Sequence, residues 1–291
     1  MVIQGALNKF RKRLLGNDED KQGSYNARII AVAAQKGGVG KTTTTVHLAA
    51  AWAQQLGLKV LLLDMDGQGH VEKSLEKLIE AERPELSLGQ LLLDKKQDVY
   101  DLVVPTSLEN LYVVPSDREL HEKASIMASR IGRELLLRQA LRLARTHFDV
   151  ILIDCPPNLG TLTLNALVAS DFVLVPCDMS ILSLDGVETL IEAIETVQEA
   201  LNPSLRLLGL VRTRVDRRHK KMNQAIEDTL LQNYRPWLLE SVVGSSTSIA
   251  KSQLAGKPVF QHEPRSPGAM SYKALAVELA RKLFPNRTQD L

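Results

Sequence analysis

Residues 29–50 read IIAVAAQKGGVGKTTTTVHLAA. An apolar run stops at Gln35, a glycine-rich turn carries two lysines, Lys36 and Lys41, and threonines lead into an apolar pattern that suits a helix. A strand, a glycine turn and a helix in that order are the layout of a phosphate-binding loop. The full G-x-x-x-x-G-K-[ST] spacing would need a glycine at Gln35, so the loop is a variant, K-G-G-V-G-K-T. The chemistry still holds. Glycines 37, 38 and 40 let the backbone curl until successive N–H groups converge on a phosphate. A helix starting near Thr42 adds its positive end. Lys41 can reach the β- and γ-phosphates of a nucleotide, and the Thr42 hydroxyl can sit on Mg²⁺. The expected binding loop is therefore Gly37, Gly38, Val39, Gly40, Lys41, Thr42 and Thr43, with ATP and Mg²⁺ as cofactors. The competing reading is a glycine-rich turn that binds nothing. By residue type alone, Lys36 is a solvated loop charge.

Two further apolar runs end in carboxylates. LKVLLLDMDGQGH (58–70) ends in Asp64-x-Asp66, and FDVILIDCPPNLG (148–160) ends in Asp154 ahead of Pro156 and Pro157. Strands are expected near 29–34, 59–64, 111–114, 150–154, 172–176 and 206–212. Helices are expected near 42–56, 118–146, 161–169, 183–200, 219–232 and 268–284. Short strands alternating with longer helices specify an α/β fold: a doubly wound, mostly parallel sheet flanked by helices, in a single domain over 27–291. Residues 81–110, with Pro84 and Pro105, have no clear period.

Residues 1–26 differ. MVIQGALNKFRKRLLG places Ile3, Leu7, Phe10 and Leu14 at helical spacing among Lys9, Arg11, Lys12 and Arg13, and the polar stretch NDEDKQGSYN follows as a linker. This basic amphipathic appendage suits a membrane surface, a partner protein, or packing on its own domain.

The chain has 291 residues, 44% hydrophobic and 4% aromatic, with 36 basic and 34 acidic residues for a net +2. That balance excludes bulk polycationic binding and leaves a local basic patch open. Two cysteines, Cys155 and Cys177, cannot form a disulfide framework, so a reducing cytoplasm is expected. No apolar run approaches the roughly 20 residues of a spanning helix.

K-G-G-V-G-K-T-T resembles the deviant Walker A motif of the ParA/MinD family of P-loop ATPases. The resemblance implies a homodimer with ATP at its interface, in which Lys41 serves its own nucleotide and Lys36 reaches the phosphates of the other subunit. Asp64-x-Asp66 resembles the family's D-x-D-P-Q switch, where the second carboxylate, Asp66 here, acts on the attacking water and the metal. Gly67 stands where the family has proline, so a more mobile switch loop is expected. The stretch ending in Asp154 is similar to Walker B with D-x-P-P, which implies that Asp154 holds the Mg²⁺ shell through water. Iron–sulfur relatives of the same superfamily use cysteines in glycine-rich contexts, which neither Cys155 nor Cys177 has.

GKPVFQHEPRSPGAMSYKALAVELARKL, residues 256–283, is similar to the closing segment of Soj-type ParA proteins, whereas MinD ends in a membrane-targeting helix. The ParA side implies nonspecific DNA binding, a nucleoid location in the cytoplasm and a ParB-like or cargo-adaptor protein that stimulates hydrolysis, with no membrane partner. The implied task is segregating a chromosome or plasmid, or positioning a division-site complex. The alternative is a MinD-like membrane regulator that uses the N-terminal helix. VRTRVDRRHKK (211–221) supplies the basic cluster: Arg217, Arg218, Lys220 and Lys221 for DNA, with Arg212 and Arg214 open to either DNA or the nucleotide base. Soj-type chains carry a DNA-binding arginine in a context like N-V-R-L-x-E-A. Ser248 occupies that place here, with Lys251 and Arg265 as nearby basic candidates.

Overall fold

Alternation along β1 (Arg28–Val32) sends Ile29 and Ala31 to one face of a sheet and Ile30 and Val32 to the other, and both faces are covered. The computed structural model describes residues 27–94, 97–216 and 218–288. The amphipathic segment and linker expected over 1–26, and Arg217, lie outside the described residues.

From β1 the chain runs through α1 (Lys41–Leu56), β2 (Val60–Asp64), α2 (His70–Ser74), α3 (Leu88–Leu93), β3 (Val104–Pro105), β4 (Leu111–Val114) and α4 (Leu120–Ala128). It continues as α5 (Leu136–Ala140), α6 (Ala144–His147), β5 (Val150–Asp154), α7 (Thr161–Ala169), β6 (Phe172–Asp178) and α8 (Ile181–Ala200). The last elements are β7 (Arg206–Val215), α9 (Lys220–Tyr234), β8 (Leu238–Gly244), α10 (Thr247–Leu254), α11 (Val259–His262) and α12 (Pro267–Leu283). The strands form one sheet in the order β3-β4-β2-β5-β1-β6-β7-β8, parallel except for the β3–β4 pair. This is the expected doubly wound α/β fold. On one face α1 and α12 cover the sheet through Trp52, Tyr272 and Leu279; on the other lie α3 to α8. Among the described residues no helix is long and apolar enough to cross a membrane.

The expected long helix over 118–146 is broken into α4, a short helical turn, α5 and α6. Two polar side chains from elsewhere take over its backbone groups. Asn165 on α7 accepts from the Leu137 N–H (3.1 Å) and donates to the Arg133 carbonyl (2.7 Å). Asp98 accepts from the Leu143 and Ala144 N–H groups. Backbone groups satisfied this way no longer need the i to i−4 ladder. In 81–110, α3 is started by a capping box in which Ser87 and Gln90 exchange bonds.

Side chains of α1 pin it to the C-terminal half. The Trp52 indole donates to the Ala276 carbonyl (2.9 Å), and the fully buried His47 bridges α1 to α11. His47 Nδ1 donates to the Thr43 carbonyl (2.7 Å), Nε2 accepts from the Val259 N–H (3.1 Å), and the ring stacks on Tyr272. Only the neutral ring can make both bonds. Burial accordingly lowers its pKa from 6.5 to about 4. Between these values the unfolded chain binds the proton and the native state does not, so stability falls as pH drops from 6.5 towards 4. At about 1.4 kcal/mol per pKa unit the loss is on the order of 3 kcal/mol. Urea unfolding across that window is expected to show a shallower pH slope for His47→Phe than for the wild type.

Candidate functional site

The turn after β1 places its glycines where a side chain would strain the backbone. Gly38 has φ 79° and Gly40, which starts α1, has φ 92°. Three carbonyls of the loop are held by side chains. Lys41 Nζ donates to the Lys36 carbonyl (3.0 Å), Arg214 Nη1 to the Gly38 carbonyl (2.5 Å), and Thr213 Oγ1 to the Val39 carbonyl (2.7 Å). With those carbonyls held, the curl of the loop is fixed by side chains from both halves of the chain. Arg214 holds its place at φ 53°, a conformation rare outside glycine.

Beneath the loop lies a buried charge cluster. Asp154 ends β5, Asp64 ends β2, and the two are register partners in the sheet. Asp154 accepts from Thr42 Oγ1 (2.6 Å) and from Thr45 Oγ1 (3.1 Å), whose hydroxyl also lies 2.8 Å from the Lys41 carbonyl. Burial raises the Asp154 pKa to about 7, against the lowering effect of the two threonines and Lys41. Asp64 is pushed well above the usual carboxylate range by burial and then by Asp154, and accepts from the Asp66 and Val71 N–H groups. Lys41 is itself buried, which lowers its pKa against the opposing pull of Asp154 and Asp66. Asp66, also buried, accepts from the Gln68 N–H (3.1 Å).

His121 at the start of α4 stands 3.9 Å from Asp66 Oδ1. Its ring covers Gly67, where an added Cβ would lie 2.9 Å from Cδ2. The glycine found in place of proline therefore leaves room for this imidazole.

Lys36 does not turn into its own loop. Its ammonium bonds Asp178 Oδ2 (3.1 Å) and Ser180 Oγ (2.8 Å) at the end of β6. Burial would raise the Asp178 pKa, but Ser180 and Lys36 outweigh it and hold the carboxyl below its ordinary range. Beside Gly38, Gly40 and Thr43 opens a cavity of about 300 Å³, walled by Thr213, Arg214, Ser245, Gln253 and Tyr272.

The structure thus gathers Lys41, Thr42, Asp66, Asp154 and Arg214 around the loop, but not Arg212. That side chain pairs with Glu227 on α9 and donates to the Leu239 and Glu240 carbonyls. The two arginines diverge because the β7–β8 register shifts between Arg212 and Val215 and Arg214 takes a positive φ. Arg218 pairs with Asp216, whose pKa it lowers. Lys220 and Lys221 are exposed at the start of α9, Lys251 lies 3.6 Å from Glu263, and Arg265 is exposed. Ser248 is buried under Gly268 and bonded to Ser246, so no outward arginine would fit there without movement. Cys155 and Cys177 are buried, and burial pushes both thiols up, Cys177 to about 11.

Thr45, Thr213, Gln253 and the Asp178–Ser180 seat escaped the sequence reading. Only Thr45 carried a local signal, as the fourth threonine of the K-T-T-T-T run.

The family described as AAA domain matches residues 27–207. The sporulation initiation inhibitor protein Soj of Bacillus subtilis is 38% identical over 253 residues, which is 87% of this chain and 98% of that protein. The chain belongs to the ParA/Soj/MinD family of P-loop ATPases. The chromosome partitioning protein ParA of Myxococcus xanthus is 36% identical, covering 89% of each chain. The crystal structure of cobyrinic acid a,c-diamide synthase from Mycobacterium smegmatis with bound ADP and magnesium matches with a TM-score of 0.74. Its identity is 32%, over 90% of this chain and 97% of that one.

In this P-loop NTPase, Thr213 is the clamp whose loss is cleanest to measure. Thr213→Val keeps the shape but leaves the Val39 carbonyl without its donor. The expected cost in urea unfolding is about 1–3 kcal/mol.

Proposed function

We propose that the chain is a partitioning ATPase: it binds ATP with Mg²⁺, dimerises around the nucleotides, binds DNA without sequence preference in that state, and lets go when a partner stimulates hydrolysis. The observation that carries this reading is the divergence of the two lysines. Lys41 serves its own loop, while Lys36 has its carbonyl capped by Lys41 and its ammonium parked on Asp178 and Ser180. A lysine parked at the rim and not needed by its own site suits a role on the other subunit's phosphates.

The residues present fit both cofactors. The cavity of about 300 Å³ beside the loop is of nucleoside size, with Arg214 and Gln253 on its walls. Thr42 and Asp154 offer the hard oxygen donors that Mg²⁺ prefers. Among the described residues no group of three or more His, Cys, Asp and Glu could hold a metal, which suits an ion bound by one or two protein oxygens plus phosphates. Bound Mg²⁺ would neutralise phosphate charge. Lys41, itself buried, supplies positive charge, Thr42 and Asp154 orient the metal side, and Asp66 is assigned to holding the attacking water. Residues from 27 onward form the ATPase unit, with 1–26 as an appendage.

DNA binding is assigned to Arg218, Lys220, Lys221, Lys251 and Arg265, with Arg217 outside the described residues. Two copies of a modest patch acting together convert weak phosphate contacts into useful affinity, which couples nucleotide state to DNA and hence to the nucleoid. The partner is a ParB-like or cargo-adaptor protein, and the cargo a chromosome, plasmid or division-site complex.

Binding to a duplex of arbitrary sequence, measured without nucleotide, with ADP and with ATP over a salt series, tests the reading. Wild type and Asp66→Ala are expected to bind only with ATP, with affinity falling steeply as salt rises, and Lys41→Ala to bind in no state. DNA binding absent in every state, or ATP-dependent binding to anionic vesicles instead, would overturn the partitioning assignment.

A further inference from the structure

α8 buries Val187, Leu190, Ile194 and Val197 and turns the opposite stripe outwards. That stripe is Asp185, Glu188, Glu192, Glu195 and Glu199, at alternating steps of three and four, and the helix contains no basic residue. Among the described residues none of these carboxylates is in an ion pair. Beside the stripe, between α8, β7 and the end of α9, runs an open groove of about 450 Å³ whose walls include Ile191, Leu207, Tyr234 and Trp237. Trp237 is 42% exposed, and Leu231 on α9 is 41% exposed. A tryptophan beside an uncompensated acidic helix marks a surface for a ligand that is apolar on one side and basic on the other.

The chain carries such a ligand. Residues 1–16 contain Ile3, Leu7, Phe10 and Leu14 at helical spacing, with Lys9, Arg11, Lys12 and Arg13 and no acidic residue. The distance is short. The Ile29 carbonyl accepts from the Asp171 N–H (2.8 Å), the Asp171 carbonyl accepts from the Arg206 N–H (3.0 Å), and Arg206 lines the groove. The chain thus enters the sheet two strands away, about 10 Å at normal strand spacing. Residues 17–26 can span on the order of 30 Å when extended.

We propose that the groove between α8 and α9 is the docking site for residues 1–16 of the same chain. The apolar set Ile3, Leu7, Phe10 and Leu14 is complementary in chemistry to Tyr234 and Trp237, and the four basic residues are complementary in charge to the α8 carboxylates. The tether makes the contact intramolecular, which raises the effective concentration of an otherwise weak association. Nothing in this proposal depends on the nucleotide chemistry, so either assignment can fail without the other.

The protein provides its own probe. Of two tryptophans, Trp52 is fully buried and Trp237 lies in the groove. Acrylamide quenching of the full chain at low salt is expected to be weak in the wild type. It should rise towards that of an open indole in Phe10→Asp and in Arg11→Glu/Arg13→Glu. Adding Glu192→Arg/Glu195→Arg to the latter pair should restore the protection. Protection should be independent of protein concentration; its loss on dilution would assign the groove to a second copy and overturn the proposal. Equal quenching in wild type and Phe10→Asp would overturn it too. If Phe10→Asp instead abolished sedimentation with phosphatidylglycerol vesicles at unchanged quenching, the segment would be a membrane contact.

Discussion

The carboxylate of Asp154, buried at the end of a central strand and held by the hydroxyls of Thr42 and Thr45, is the constraint around which the rest of the site is arranged. Burying this carboxylate is unfavourable, as its raised pKa records, and Asp64 beside it is raised in turn by burial and by Asp154. The arrangement persists because two hydroxyls and a nearby lysine compensate at short range. A site organised in this way suits a cation and a polyphosphate. Parallel pairing explains how it is assembled. The register of β2 with β5 brings Asp64 level with Asp154, and β1 between β5 and β6 delivers the glycine loop at the same edge.

The loop is equally a product of the far end of the chain. Thr213 and Arg214, more than 170 residues later, hold two of its carbonyls. Gln253 on α10 donates to Thr43, and His47 is fixed by the backbone of Val259. The C-terminal segment thus builds one wall of the cavity beside the loop and buttresses the helix on which the loop rests.

The fold was largely legible because buried parallel strands are short apolar runs, and each central run ended at a carboxylate or a glycine turn. Lys41, Thr42, Asp66 and Asp154, which the structure brings together, could be singled out locally, the first two by the spacing of the glycine turn and the carboxylates by their place at or just beyond a strand end. The edge strand β8 was not, because WLLESVVG mixes exposed and buried residues without a sharp period. The fragmentation of 118–146 was hidden because its causes, Asn165 and Asp98, lie outside the segment. Arg212 and Arg214 looked equivalent, and only a register shift and one positive φ send them to different sites. The separate seat of Lys36 depends on Asp178 and Ser180, 142 and 144 residues away, which no local pattern could announce.

The central claim is that Lys36 works across a subunit boundary while Lys41 works within its own. Sedimentation equilibrium with a slowly hydrolysed ATP analogue and Mg²⁺, beside a direct nucleotide-binding titration, tests it in one pair of curves. The account predicts that the wild type moves from monomer to dimer, whereas Lys36→Ala stays monomeric and still binds the nucleotide. A Lys36→Ala variant that dimerises as readily as the wild type, or that loses nucleotide binding as a monomer, would contradict it.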